Sequence, residues 1–339
     1  MRRWHGILGA AAAWAMLAHQ TPAAVTFNTT QGLDPYELDG MISNSDVLHG
    51  LIATEMPGDQ GWHPVNPAAA NSLHPWGLPA FTDGLGSQGN FYGLLNDFPP
   101  LGSPTKLLQY DLPGPTDVTE INIFTGNILD TDGRVFSTVV IRYSANNGAT
   151  FNPLGYFQSN PSGTINNPTG APGTTEYSVT MLSIFDDESA TMLAGVTNLQ
   201  FDFYAVDNTQ GQMRDPFDGV NPFTGEDDGL TAAFVAPLLW EIDVLGSPAA
   251  AANADFNGDG QVDGADYLIW QRGLGGAGAT LAQGDANGDS LVNEADLAVW
   301  RGQFTPTASM TPLPEPAAGM LAIGLAAALA AMRRRVDAR

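Results

Sequence analysis

From residue 24 to residue 246 the chain alternates short apolar runs of Val, Ile, Phe and Tyr with clusters of Gly, Pro, Asn and Asp. That pattern predicts strands separated by turns. The clearest runs are Thr105 to Asp111, Val118 to Gly126, Val135 to Ser144, Tyr177 to Ser183, Leu199 to Asp207 and Leu238 to Leu245. In Leu199-Gln-Phe-Asp-Phe-Tyr204 the alternation is clean and turns Leu199, Phe201 and Phe203 inward. Val135 to Arg142 alternates only in part, which leaves its faces open. No long helical period occurs. Leu85 to Leu95 comes nearest, and its glycines argue against a helix. The expectation is a mainly β domain, an antiparallel β-sandwich.

Beyond it the pattern changes. Ser247 to Ala254 reads SPAAAANA, a linker, and then comes Asp255 to Asp266, DFNGDGQVDGAD. The same pattern returns as DANGDSLVNEAD, Asp285 to Asp296. In the first copy Asp255, Asn257, Asp259, Gln261, Asp263 and Asp266 fall at loop positions 1, 3, 5, 7, 9 and 12, from which an EF-hand-type loop presents oxygens to calcium. The second copy places Asp285, Asn287, Asp289, Leu291, Asn293 and Asp296 there, position 7 acting through its backbone carbonyl. Two copies in register predict two bound Ca²⁺ ions. Loop one has more carboxylates, and Gly260 where loop two has Ser290, at a sharp turn that costs Ser about 1 kcal/mol. Site one is therefore expected to be the tighter.

Each loop leads into a short apolar stretch, Asp266-Tyr-Leu-Ile-Trp270 and Asp296-Leu-Ala-Val-Trp300, which predicts a helix after each loop. No helix pattern precedes the first loop, so each unit is loop plus exiting helix. This arrangement, with Asp at position 12, resembles the dockerin family over residues 255–304. The resemblance implies a cohesin-like protein partner, or a calcium-locked stalk if the module only stiffens the chain. A module of about fifty residues buries too little surface to fold well unaided, so metal binding and folding should be coupled.

The two ends carry their own patterns. Arg2 and Arg3, the apolar run Ile7 to Leu17, and Thr21-Pro22-Ala23 predict a signal peptide over 1–23 and export across the inner membrane. After a Thr/Pro-rich spacer at 305–313 come Pro314-Glu315-Pro316, the apolar run Ala317 to Met332, and Arg333-Arg334-Arg335. As a helix that run spans ~24 Å against a hydrocarbon core of ~30 Å, a reach that snorkelling arginines extend. The stretch 314–339 resembles the PEP-CTERM sorting signal. That implies a transmembrane helix, a sortase-like processing enzyme of the exosortase type, and a cell-envelope or extracellular location.

Charge narrows the partners. The net charge is −24, and between residues 24 and 312 Lys106 and five arginines face 34 acidic residues. Such a field repels nucleic acid. Cysteine is absent, so no disulfide or thiol chemistry enters.

Within the large domain, Pro115 to Phe124, Val139 to Gly148 and Trp240 to Gly246 resemble strands of discoidin-like, galactose-binding-type jelly rolls. The resemblance implies a third calcium ion held near Asp83, in Phe81-Thr-Asp-Gly84, and Glu241. It also implies sugar contact through loop aromatics, for which Trp62 with His63 and Trp76 with His74 are the candidates. Long insertions at Asn146 to Thr175 and Asn208 to Gly229 break that family's pattern. The latter carries an acidic loop of Asp215, Asp218, Glu226, Asp227 and Asp228, either a solubilising surface or a further calcium site. His49, His63 and His74 form a weak metal pattern. No H-E-x-x-H or G-x-S-x-G occurs, and no carboxylate pair stands apart as catalytic. The expected function is non-catalytic: a secreted or envelope-displayed calcium-binding protein whose sandwich contacts polysaccharide, matrix or protein. The alternative is an extracellular polysaccharide-acting enzyme or its accessory subunit.

Overall fold

The computed structural model describes residues 25–86, 91–126, 134–159, 178–206, 214–249, 252–288 and 291–305. The expected signal peptide, the sorting signal, and Asp289 with Ser290 lie outside them. Among the described residues no helix is long and apolar enough to cross a membrane. The chain divides into two compact units, 1–250 and 251–339.

Among the described residues the first unit is an antiparallel β fold of eight strands: β1 (Val25–Gly32), β2 (Thr54–Glu55), β3 (Lys106–Gly126), β4 (Thr138–Ser144), β5 (Asn152–Gln158), β6 (Val179–Asp186), β7 (Leu193–Tyr204) and β8 (Leu239–Pro248). The strand order is β1-β6-β3-β7-β4-β5, with β2 and β8 also on β3. β3 organises the rest. Its first half, Lys106 to Asp111, pairs with β7, and Leu108 and Gln109 also pair with β2. Its second half, Glu120 to Gly126, pairs with β6 on one edge, and β8 runs along the other.

Between these halves the register shifts from Asp111 to Val118, around Pro113-Gly114-Pro115. Proline donates no ladder hydrogen bond, so this segment is where a strand bends and changes partners. The inward residues of both halves meet in one core. Ile121, Ile123, Leu182, Ile184, Ile242 and Val244 from one side join Leu108, Tyr110, Val139, Ile141, Leu199, Phe201 and Phe203 from the other. That shared core is what makes the fold a sandwich.

The two runs expected at 105–111 and 118–126 are thus one strand, continuous because the prolines bend it without ending it. Strands β1, β2 and β5 carry no strong apolar run, and the sequence reading passes over them. β5 lies inside the stretch taken as an insertion. β8 extends through Ser247 and Pro248, which pair with Asp117 and Thr116, so the expected linker at 247–254 begins later. No helix forms in the described part of 85–95. Leu199, Phe201 and Phe203 are fully buried, as their alternation predicts.

One half of the sandwich also has a covered outer face. Phe124, Val179, Met181, Leu238 and Trp240 pack there beneath Leu38, Ile42 and Leu94 from the loops. Gly126 leaves room for the Trp240 ring, which a Cβ at that position would meet at 2.1 Å.

Among its described residues the second unit holds two α-helices of equal length, α1 (Gly264–Gly273) and α2 (Glu294–Gln303). Its core gathers Ala254, Phe256, Trp270, Ala286, Val292 and Leu297, with Tyr267 and Trp300 against it. Ala254, read as linker, is fully buried in this core.

Candidate calcium centres

In the first loop the acidic side chains organise the backbone. Asp255 Oδ1 accepts from the Gly258 and Asp259 amides at 2.8 and 3.1 Å, and its Oδ2 accepts from Gly260 N at 2.8 Å. Asn257 Oδ1 accepts from Asp259 N at 2.9 Å, and Asp259 Oδ1 from Gln261 N at 2.9 Å. Asp266, fully buried at position 12, ties the two ends of the loop together. Its Oδ1 accepts from Phe256 N at 2.8 Å and Asn257 N at 3.2 Å, and its Oδ2 from Asp263 N at 2.9 Å. Asp263 accepts in turn from Ala265 N at 2.7 Å, completing a reciprocal cap on α1.

The second loop repeats this. Asp296, also fully buried, accepts from Ala286 N at 2.8 Å, Asn287 N at 3.3 Å and Asn293 N at 2.7 Å. Asn293 caps α2 through Ala295 N at 2.7 Å, and Asp285 accepts from Gly288 N at 2.7 Å. Leu291 forms an isolated bridge with Ala277. The sequence period is therefore a structural one at positions 1, 9 and 12, which make matching bonds in both loops.

The helices lock the loops to each other. Trp270 Nε1 donates to the carbonyl of Asn293 at 2.8 Å, and Trp300 Nε1 donates to the carbonyl of Asp263 at 2.9 Å. Both acceptors stand at position 9, so each helix carries an indole that braces the opposite loop. The donor set is hard oxygen throughout, which suits calcium. A carboxylate that accepts amide hydrogen bonds keeps lone pairs for a cation. Among the described residues no group of three His, Asp or Glu side chains is gathered as a finished metal cage.

The sandwich brings Asp83 and Glu241 together. The Asp83 charge is near enough to Glu241 to raise its carboxyl, and Gly84 N donates to Glu241 Oε2 at 3.2 Å. Two acids that sequence reasoning missed lie beside them. Ser43 N donates to Asp243 Oδ2 at 2.7 Å, while Asp46 Oδ1 accepts from Leu48 N at 2.8 Å and Val244 N at 3.2 Å. Glu241 and Asp243 are fully buried, and Glu241 Oε1, Asp243 Oδ1 and Asp46 Oδ2 have no hydrogen-bond partner. Burial, then the neighbouring Asp243 and Asp83, pushes the Glu241 carboxyl up to about 10. Burial pushes Asp243 up to about 7, and raises Asp46 and Asp83 as well. A buried carboxylate oxygen without a donor calls for a proton or a cation, although among the described residues no three acids gather around one point. The missed signal was present in Glu241-Ile-Asp243: Ile242 and Val244 face the core, so both acids share the opposite face.

The remaining candidates do not converge. Trp62 is buried and stacked on Phe81 at 5.4 Å, a packed position and no sugar platform. Trp76 is half-buried beside His74 and Tyr92, at 5.7 and 5.0 Å between ring centroids. His63 pairs with Asp97 at 3.5 Å, and His74 Nδ1 accepts from Trp76 N, so these histidines serve separate local contacts. Asp215 accepts from Phe217 N and Asn221 Nδ2, and Asp228 from Asp215 N and Leu230 N. That loop fastens itself.

Residues 253–304 match the family model of the dockerin type I domain. Dockerin type I domains bind calcium and cohesins. No curated protein matches the chain. Among solved structures, the chain is similar to the CBM32-1, CBM32-2 and M60 catalytic domains of Clostridium perfringens ZmpB at 13% identity, with a TM-score of 0.29. The match covers 68% of this chain and 18% of that one.

Proposed function

We propose that this chain is an exported, non-catalytic docking protein. Its C-terminal repeat pair binds one calcium ion per loop and then grips a cohesin-type partner, while the sandwich carries the contact with extracellular polysaccharide. The observation that carries this reading is the reciprocal bracing of the loops by Trp270 and Trp300. It makes the two calcium loops and two helices one folding unit, so metal, fold and docking surface stand or fall together. Ala265 and Leu268 on α1 and their counterparts Ala295 and Ala298 on α2 are all exposed, offering two equivalent small apolar patches. A third calcium ion at Asp83 and Glu241, extended by Asp46 and Asp243, would neutralise the buried acids of the sandwich. Closure of Glu241, Asp243 and Asp46 to solvent supports binding over catalysis at that place. Trp76 with Tyr92 and His74 is the aromatic surface we assign to sugar contact. The sequence patterns at 1–23 and 314–339 support export and processing at the envelope.

Calcium titration of the full chain by calorimetry, followed by titration with a type I cohesin before and after chelation, tests this. Saturable calcium binding and chelator-sensitive cohesin binding are expected. A calcium-loaded, folded module that ignores cohesins would leave the stalk reading in its place. Loss of polysaccharide retention in Trp76→Ala, with cohesin binding intact, would assign the sugar surface separately.

A further inference from the structure

The chain's one lysine is fully buried, and two carboxylates meet it. Lys106 Nζ lies 3.0 Å from Asp59 Oδ1, contacts Glu55 Oε1, and sits 4.1 Å from the centre of the Trp62 ring. Trp62 is stacked on Phe81, so the amine is roofed by aromatic rings. Elsewhere in the sandwich carboxylates pair with arginine: Arg134 forks onto Asp97, and Arg142 meets Asp202. Arginine is the better partner for a purely structural buried pair, whereas only lysine is a nucleophile once it loses a proton.

The two carboxylates are held differently. Both oxygens of Asp59 face backbone amides, Gly61 N to Oδ1 at 2.7 Å and Leu107 N to Oδ2 at 2.8 Å. These are fixed donors of the kind that stabilises a tetrahedral oxyanion. Glu55 is oriented by side chains, Trp62 Nε1 on Oε1 at 3.0 Å and Ser72 Oγ on Oε2 at 2.8 Å. It touches the amine and is placed to carry protons.

We propose that Lys106 and Asp59 become joined by a spontaneous amide cross-link, with Glu55 as the proton carrier. An ammonium proton passes to Asp59, which leaves a neutral amine beside a neutral carboxyl. The Nζ lone pair attacks Asp59 Cγ, and the oxyanion forms against the Gly61 and Leu107 amides. Glu55 takes a proton from the nitrogen and returns it to the departing hydroxyl. The C–O bond breaks, the Nζ–Cγ bond remains, and one water leaves; nothing is oxidised or reduced. In a chain without cysteine, the product clamps the loop after β2 to the start of β3 independently of redox conditions.

The test is the mass of the purified full chain and of its proteolytic peptides, compared with Lys106→Arg, which keeps the charge and removes the nucleophile. The expected result is a wild-type mass short by one water, a branched peptide joining Lys106 to Asp59, and no deficit in the variant. Asp59→Asn should still cross-link, releasing ammonia in place of water, and Glu55→Gln should leave part of the protein open. A wild-type mass equal to that of its linear sequence overturns the proposal and leaves a buried ion pair. A branch to Glu55 overturns the assigned roles. Wild-type protein alone decides between these, so a variant that fails to fold does not obscure the answer.

Discussion

Trp300 Nε1 donates to the backbone carbonyl of Asp263 at 2.9 Å, reaching from the second helix to the loop that begins the first. Trp270 makes the same bond to Asn293 in the other direction. Calcium bound as proposed at one loop would therefore be coupled to the helix that leaves the other. Trp300→Phe keeps an aromatic ring in the core but removes the donor, and should cost about 1 kcal/mol of module stability. Denaturant unfolding of the calcium-loaded protein, followed by far-ultraviolet dichroism, should show it. Calorimetry should find weaker calcium binding at the first loop as well as the second.

Asp266 accepts three backbone amides and also stands at loop position 12. Asp266→Ala removes the proposed calcium ligand and orphans buried donors, each worth about 1–3 kcal/mol. One calcium binding event should disappear from the titration, with part of the helical signal. Asp255→Asn should weaken calcium at the same loop while leaving the helix signal largely restored at high calcium.

The buried acids of the sandwich set a pH dependence that a bound cation would oppose. With calcium chelated, folded Glu241 holds its proton up to about 10 and Asp243 up to about 7, against ordinary values of 4.5 and 3.8. Between those limits the folded state binds more protons than the unfolded one, so stability falls as pH rises. The contribution is fully present below pH 3.8–4.5 and is lost through 7 for Asp243 and 10 for Glu241. Thermal melts of chelated protein across pH 5–9 should fall with pH, and excess calcium should flatten or invert the slope. Glu241→Gln should remove most of the fall at the alkaline end. An unchanged melting temperature on adding calcium to a variant with both loops disabled would exclude the sandwich ion.

Gly126 lies under Trp240, where an added Cβ would meet the ring at 2.1 Å. The ring is buried on the outer face and cannot swing aside freely. Gly126→Ala should destabilise the sandwich by about 1–3 kcal/mol through overpacking. Urea unfolding monitored by tryptophan fluorescence would measure it.

The sequence by itself determined what is local. The fastening of the acidic loops was legible because the side chains involved lie within twelve residues and position 12 reaches back to amides at positions 2 and 3. The caps at Asp263 and Asn293, and the inward row Leu199, Phe201 and Phe203, belong to the same local kind. Tertiary structure alone decided what depends on distant pairing. Whether Pro113-Gly114-Pro115 ends a strand or bends one is settled by the edges β6, β7 and β8 provide. Asp46 meets Val244 from 198 residues away, and Lys106 finds Asp59 across 47. Side-chain periodicity says which face a residue takes, but a charged group's environment is fixed by segments that no periodicity links to it. A buried acid and a solvated one therefore read alike along the chain until the fold closes over one of them.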